Sequence, residues 1–308
     1  MANIVGRKKI WFTIPCIVFV ITLAVSLIFG VELDINFRGG SLVTYSFDGD
    51  VDKAVFEDTI EQSLGSSISL QQQQDVATRK TNYVATLSTK GGISPETQQE
   101  ITLALQEQFP DNNVEVVSAN NVDPAIGRDF FVKSMVAVAT AAVLMILYIA
   151  FRFRKMGGWS AGVFACVALI HDVMYVFAAF VIFRFPIGDS FIAVALTILG
   201  YSINATIVIY DRIRENKRLM QGKSGLSGIV NTSISQSLRR TVNTTVSTVL
   251  AIGTVCVIAV IYNVESILIF SLPMAIGMLA GAYSSVCLAG PLWLTWQEHK
   301  AARKRAGA

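Results

Sequence analysis

Charge is scarce in this chain. Lys, Arg, Asp and Glu make up 15% of its 308 residues, against roughly 25% in soluble domains. Hydrophobic residues reach 53% and the mean hydropathy is +0.53. Together these values exclude an ordinary soluble globule and predict an integral membrane protein. There are two histidines and no Cys/His cluster, which argues against a dedicated metal site. Cys16, Cys166, Cys256 and Cys287 all fall in apolar runs. The large polar segment has no cysteine, so no disulfide framework is indicated. A complete phosphate-binding loop, a His-Glu-x-x-His motif and a Gly-x-Ser-x-Gly motif are all missing. The residues therefore point to no enzyme and no cofactor, and any work must draw on an ion gradient or a partner. The net charge of +3 carries no nucleic-acid signature, because the basic residues sit at the ends of apolar runs.

Apolar runs are what the chain has in place of charge. About 20 residues at 1.5 Å each cross the ~30 Å hydrocarbon core, and six runs qualify: residues 10–29, 130–151, 159–183, 190–210, 241–262 and 267–296. The first follows Arg7, Lys8 and Lys9. It is longer than the roughly 7–15 residues of a signal-peptide core and reads as an uncleaved span. Residues 1–30 then form an N-terminus and first span, 31–129 a polar domain, 130–298 a five-span bundle with a polar loop at 211–240, and 299–308 a basic tail. Ile229, Ile234 and Leu238 are expected to form the apolar edge of a short interfacial helix in that loop. Basic residues cluster before the first span, after the second, in 211–240 and in the tail. The short loops of the other side carry Arg184 alone. The positive-inside rule therefore places both termini in the cytoplasm and residues 31–129 outside.

Within 31–129, strands are predicted at 41–47, 68–76, 81–88 and 113–119, and helices at 51–64 and 95–109. Ser94-Pro95-Glu96 supplies a cap, a first-turn proline and an acid facing the helix dipole. The order βαββαβ is the ferredoxin-like arrangement.

Polar groups inside the apolar runs are costly and mark candidate function. Asp172 is the one carboxylate deep inside a predicted span. A central aspartate costs about 2.5–3.5 kcal/mol on insertion scales. It must be paired, protonated or beside water, which makes it a candidate proton carrier. His171 is adjacent, so it is expected to point about 100° away around the helix and to serve as a hydrogen-bonded neighbour. Ala161, Ala165 and Ala168 share the Asp172 face and would let another helix approach. Residues 200–216 carry Tyr201, Ser202, Asn204 and Thr206 inside an apolar run that ends in Asp211, Arg212, Arg214 and Glu215. Thr197, Tyr201, Asn204, Val208 and Asp211 share one helical face. In the fifth run Arg240, on a face with Thr244 and Ser247, is expected to snorkel or to reach a carboxylate, with Asn243, Thr245 and Thr248 adding polarity. Pro273, Gly277, Gly281 and Ser285 recur every four residues in the sixth, a small-residue packing face to which Pro273 is expected to add a kink. Asp211 and Arg212 read as a boundary anchor.

Gly200-Tyr201-Ser202-Ile203-Asn204 and Asp211-Arg212-Ile213-Arg214-Glu215-Asn216 carry a resemblance. Phe37-Arg38-Gly39-Gly40, Asp123-Pro124 with Gly127, Ile170-His171-Asp172 and Arg240-Thr241 with Asn243-Thr244 extend it in the same order. Over almost its whole length the chain resembles the SecF family, the small subunits of the SecD–SecF protein-translocation accessory complex. The resemblance implies a fold related to the resistance–nodulation–division exporters, in the bacterial cytoplasmic membrane. It implies pairing with SecD into a pseudo-symmetric twelve-span unit. That unit would use the proton gradient to help pull secreted chains outward after SecYEG and SecA have moved them. The outer domains would contact the unfolded secretory protein, and membrane lipids would surround the spans. Two positions depart from the family pattern. Ala205 stands where many members carry an acid implicated in the proton path, and Asn36 stands where an aspartate is common. The resemblance therefore carries over Arg240 as a channel-lining cation and leaves Asp172 as the remaining acid, with Asn204 and Thr206 lining the path. Two alternatives are a scaffold for SecD without proton chemistry of its own, and half of a lipid or small-molecule exporter.

Overall fold

The structure is a computed structural model that describes residues 5–74, 81–87, 93–122, 124–154, 157–220, 224–262 and 264–306. Val76, Ser88 and Asp123, to which expectations above extend, lie outside the described residues.

After a short 3-10 turn, helix α1 runs Lys8–Phe29 and α2 Ile35–Arg38. The next unit comprises β1 Gly40–Ser46, α3 Lys53–Leu64, β2 Ile68–Gln74, β3 Thr81–Leu87, α4 Pro95–Gln108 and β4 Glu115–Val122. Its strands form one antiparallel sheet in the order β2-β3-β1-β4. This is the ferredoxin-like topology expected from the sequence. Val43, Tyr45 and Leu87 from the sheet meet Phe56 and Ile60 of α3 and Ile101 and Leu105 of α4 in a closed core. Asp52 caps α3 by accepting from the Ala54 and Val55 N–H groups, and Ser94 caps α4 by accepting from Thr97. β4 starts at Glu115 rather than 113 because Asn113 takes a left-handed φ of 42°, which breaks extended geometry.

Among the described residues six helical stretches are long and apolar enough to cross a membrane: they fall in α1, α5 Pro124–Arg152, α6 Gly158–Ile182, α7 Asp189–Leu219, α8 Leu226–Ile261, and the stretch Glu265–Arg303 that begins with α9 Glu265–Ser284. A π-helical turn at Ser285–Ala289 carries α9 into α10 Gly290–Ala306. The polar stretch expected as a loop at 211–240 is helical through 219 and again from 226. Its 31-residue and 36-residue helices measure about 46 and 54 Å at 1.5 Å per residue, so they project beyond the ~30 Å apolar layer. Charge ended the apolar run there without ending the helix. Ile234 is buried in the bundle core with Tyr210 and Ile213, Leu238 packs against that core, and Ile229 is buried as well. The expected interfacial helix is the first part of α8. Asn216 joins the two projections by donating to Ser233 Oγ and Gln236 Oε1, both at 2.8 Å.

α1 contains Pro15, which has no N–H to give the Trp11 carbonyl one turn back. The Tyr283 hydroxyl of α9 donates to that carbonyl at 2.5 Å. The sheet unit is tied to the bundle by a parallel bridge between Leu33 and Ile187. Asp34 N–H donates to the Ile187 carbonyl at 3.1 Å, and Ile187 N–H to the Glu32 carbonyl at 2.8 Å. Asn36 Nδ2 donates to Asp189 at 3.1 Å, Arg184 pairs with Glu32 at 2.5 Å, and Gln72 N–H donates to Glu265 at 3.1 Å.

Candidate functional site: a buried carboxylate among three helices

Small residues bring α6, α7 and α9 together. A Cβ added at Gly277 would stand 2.8 Å from side-chain carbons of Ile198 and Val176, and one at Gly281 would stand 3.0 Å from Ser202 Cβ. These two glycines therefore seat α7 against α9 at the depth of Ser202. Ala161, Ala165 and Ala168 on α6 are wholly buried along the face that ends in Asp172.

Asp172 is 0% exposed. Ser202 Oγ donates to its Oδ2 at 2.5 Å and Ser284 Oγ to the same atom at 2.8 Å. His171 Nδ1 lies 2.9 Å from Oδ1. The ring expected to point away along the helix therefore folds back onto the acid as its direct partner. Ser285 extends the cluster, with its Oγ 3.0 Å from Thr206 Oγ1 and donating to the Ser202 carbonyl at 3.3 Å. The π-helical turn begins at Ser285, and the extra residue in that turn rotates successive side chains. Ser284 faces Asp172 and Ser285 faces α7.

The heavy atoms serve two protonation states. With Asp172 ionised, both serines donate to Oδ2 and His171 donates Nδ1–H to Oδ1. With a proton on Oδ1, Asp172 donates to Nδ1 and the imidazole proton moves to Nε2. Nε2 is buried without a hydrogen-bond partner among the described residues. It lies in an aromatic pocket of Phe19 from α1 and Tyr175 and Tyr283, whose ring centroids are 5.8, 4.6 and 5.8 Å from that of His171. A proton accepted at Nε2 would release the one at Nδ1 to Asp172, which is a relay of two groups.

The other expected site residues divide. Thr206 is buried and belongs to the Asp172 cluster through Ser285. Asn204 is exposed on the other side of α7. It lines a cleft of about 110 Å³ with Tyr201, Ala205, Val208, Arg240 and Thr244. Asn204 and Thr206 therefore do not line one path. No ion pair joins Arg240 to Asp172 among the described residues; the partners of the acid are His171, Ser202 and Ser284. Asn243 is exposed and lines neither feature, and its carbonyl accepts from Ser247. Asp211 accepts from Arg152 at 3.2 Å and Arg214 at 2.6 Å, while Arg212 bonds Gln236 and Glu215, both at 2.6 Å. These contacts tie α5, α7 and α8 together at one end of the bundle. Ser284 received no role from sequence reasoning. The available signal was its place one turn beyond Ala280 on the small-residue side of α9.

Six spans, a βαββαβ unit inserted between the first and second, and a buried acid on a small-residue face define a multi-pass membrane protein of transport type. The family pattern described as "Protein export membrane protein SecD/SecF, C-terminal" matches residues 102–299, and the chain belongs to that family. It is 33% identical over 297 residues to the protein translocase subunit SecF of Acidaminococcus fermentans, covering 96% of this chain and 97% of that one. The SecF of Alicyclobacillus acidocaldarius is 30% identical over 307 residues, covering 99% and 96%. SecDF of Bacillus subtilis is 28% identical over 295 residues, covering 95% of this chain and 38% of its own length. The crystal structure of SecDF from Thermus, described as a translocon-associated membrane protein, superposes with a TM-score of 0.79 at 28% identity over 96% of this chain. This chain spans 39% of that longer one. The relatives are named as translocase subunits, a transport role rather than catalysis.

Proposed function

We propose that this chain is the SecF-type subunit of the bacterial protein-export machinery. With SecD it couples the proton gradient to late stages of secretory-protein translocation across the cytoplasmic membrane. The observation that carries the coupling is the wholly buried Asp172, bonded by His171, Ser202 and Ser284 from three spans. Loading and unloading Asp172 changes what the two serines and the histidine must do, and so biases how α6, α7 and α9 pack. Likeness to fused SecDF chains supports SecD as the partner. SecYEG, SecA and the emerging secretory chain follow as the wider assembly. The distribution of basic residues supports cytoplasmic termini with the sheet unit outside.

Asp172→Asn should abolish the gradient-dependent part of secretion in inverted vesicles while the complex with SecD still assembles. Normal gradient dependence in that variant would remove Asp172 from the mechanism. One observation favours a scaffold reading instead: Ala205 leaves the Arg240 cleft without an acid among its lining residues. In that case Asp172→Asn would lower the yield of the complex and leave its proton dependence intact.

A further inference from the structure

At the bundle end remote from the sheet, a groove of about 1180 Å³ opens between α5, α6 and α10. Arg154, Lys217 and Lys300 line it from three different parts of the chain. Among the described residues none of them forms an ion pair and no acidic residue lines the groove. α6 starts here, and its cap residue Gly157 offers no side chain to its first-turn N–H groups. Those groups add positive potential at the same place. Trp159 and Trp296 stand at the rim, 68% and 52% exposed, as tryptophans do at membrane–water boundaries. Below the cations the wall is apolar, with Leu147, Phe151 and Val163 all exposed on membrane-spanning helices.

We propose that this groove binds an anionic membrane phospholipid, with its phosphate among Arg154, Lys217 and Lys300 and its acyl chains along α5 and α6. Charge complementarity identifies the headgroup, since three cations without an acidic partner among the described residues and a helix N-terminus together favour a phosphate. Basic pockets between spans take such headgroups. The apolar wall continuing from the cations into the membrane-spanning faces selects a lipid over a soluble phosphate, which has nothing to place there. The groove lies on the opposite side of α6 from the Asp172 relay and uses none of its residues.

The test uses the purified full-length chain in a neutral detergent. Short-chain phosphatidylglycerol, short-chain phosphatidylcholine and inorganic phosphate are titrated separately, with tryptophan fluorescence as the readout. Phosphatidylglycerol should saturate the signal, and the other two should not. Arg154→Gln, Lys217→Gln and Lys300→Gln should each weaken phosphatidylglycerol binding by about fivefold, the worth of one basic residue near an anionic surface. Lys133→Gln, near the other end of α5, should leave binding unchanged. Equal binding of the two lipids would overturn the proposal and leave the groove to a protein partner. Saturation by inorganic phosphate alone would assign the site to a soluble anion, and undiminished phosphatidylglycerol binding in all three single variants would show that the cations do not form it.

Discussion

Asp172 takes its donors from residues 30 and 112 positions away in sequence, so its environment exists only once α6, α7 and α9 have packed. Ser202→Ala removes the shorter of the two serine bonds to Oδ2. We expect a loss of about 1–2 kcal/mol in detergent unfolding, the range of buried hydrogen bonds between spans, and an unchanged stability would show that this bond contributes nothing. Tyr283 and Pro15 permit a sharper test. Tyr283→Phe leaves the Trp11 carbonyl without its donor and should cost about 1 kcal/mol. In a Pro15→Ala background residue 15 regains its N–H, and the same substitution should cost clearly less. Equal costs in the two backgrounds would disprove the substitution of one donor for the other. The acid itself was legible in the sequence because a carboxylate in an apolar run stands out. Ser284 and the His171 contact were not, because helical spacing says nothing about which side chains neighbouring helices bring, and a π-helical turn shifts that spacing locally.

Among the elements, the α7–α9 contact depends on the absence of side chains at Gly277 and Gly281. Gly277→Val would place methyl groups where Ile198 and Val176 already stand. Overpacking of this kind costs about 1–3 kcal/mol, so the variant should unfold at lower denaturant than the parent, while Gly253→Ala, with open space around it, should match the parent. The sheet unit carries a separate, alkaline signature. Burial pushes the Tyr45 phenol up to about 12, and Tyr83 is raised by burial first and then by Asp50 and Asp52. An unfolded tyrosine ionises near pH 10, so the folded unit binds more protons between the two values. The stabilisation is complete below about pH 10 and is lost as pH rises through about 12, at up to about 1.4 kcal/mol per pH unit for Tyr45. Tyr45→Phe should flatten the fall of the urea midpoint over that window, and an unaltered slope would refute the assignment. The βαββαβ order was legible because period-two strands, capped helices and turn residues each left a local mark. The helical projections at 211–219 and 226–240 were not, because a hydropathy pattern records where lipid ends and a helix can continue into water.

Over the whole molecule, the sheet meets the bundle at few places. Glu265, in the first turn of α9, accepts from the Gln72 N–H of β2. Glu265→Ala should speed amide exchange at Gln72 while leaving the six spans protected, and unchanged exchange would show that the contact does not hold the sheet edge. The second tie lies between Phe29 and Gly40. Ten residues separate the end of α1 from the start of β1, and within them Glu32, Asp34 and Asn36 are bonded to residues 184–189, which sets Leu33 beside Ile187. Such a connection has no slack. A displacement of the α6–α7 turn is expected to carry into the first strand of the sheet unit, with Gly39 and Gly40, both at positive φ, as the joint between them. In mechanical terms the linker is a crank rather than a tether: its length is fixed, and motion of the α6–α7 turn reaches β1 through the joint at Gly39 and Gly40.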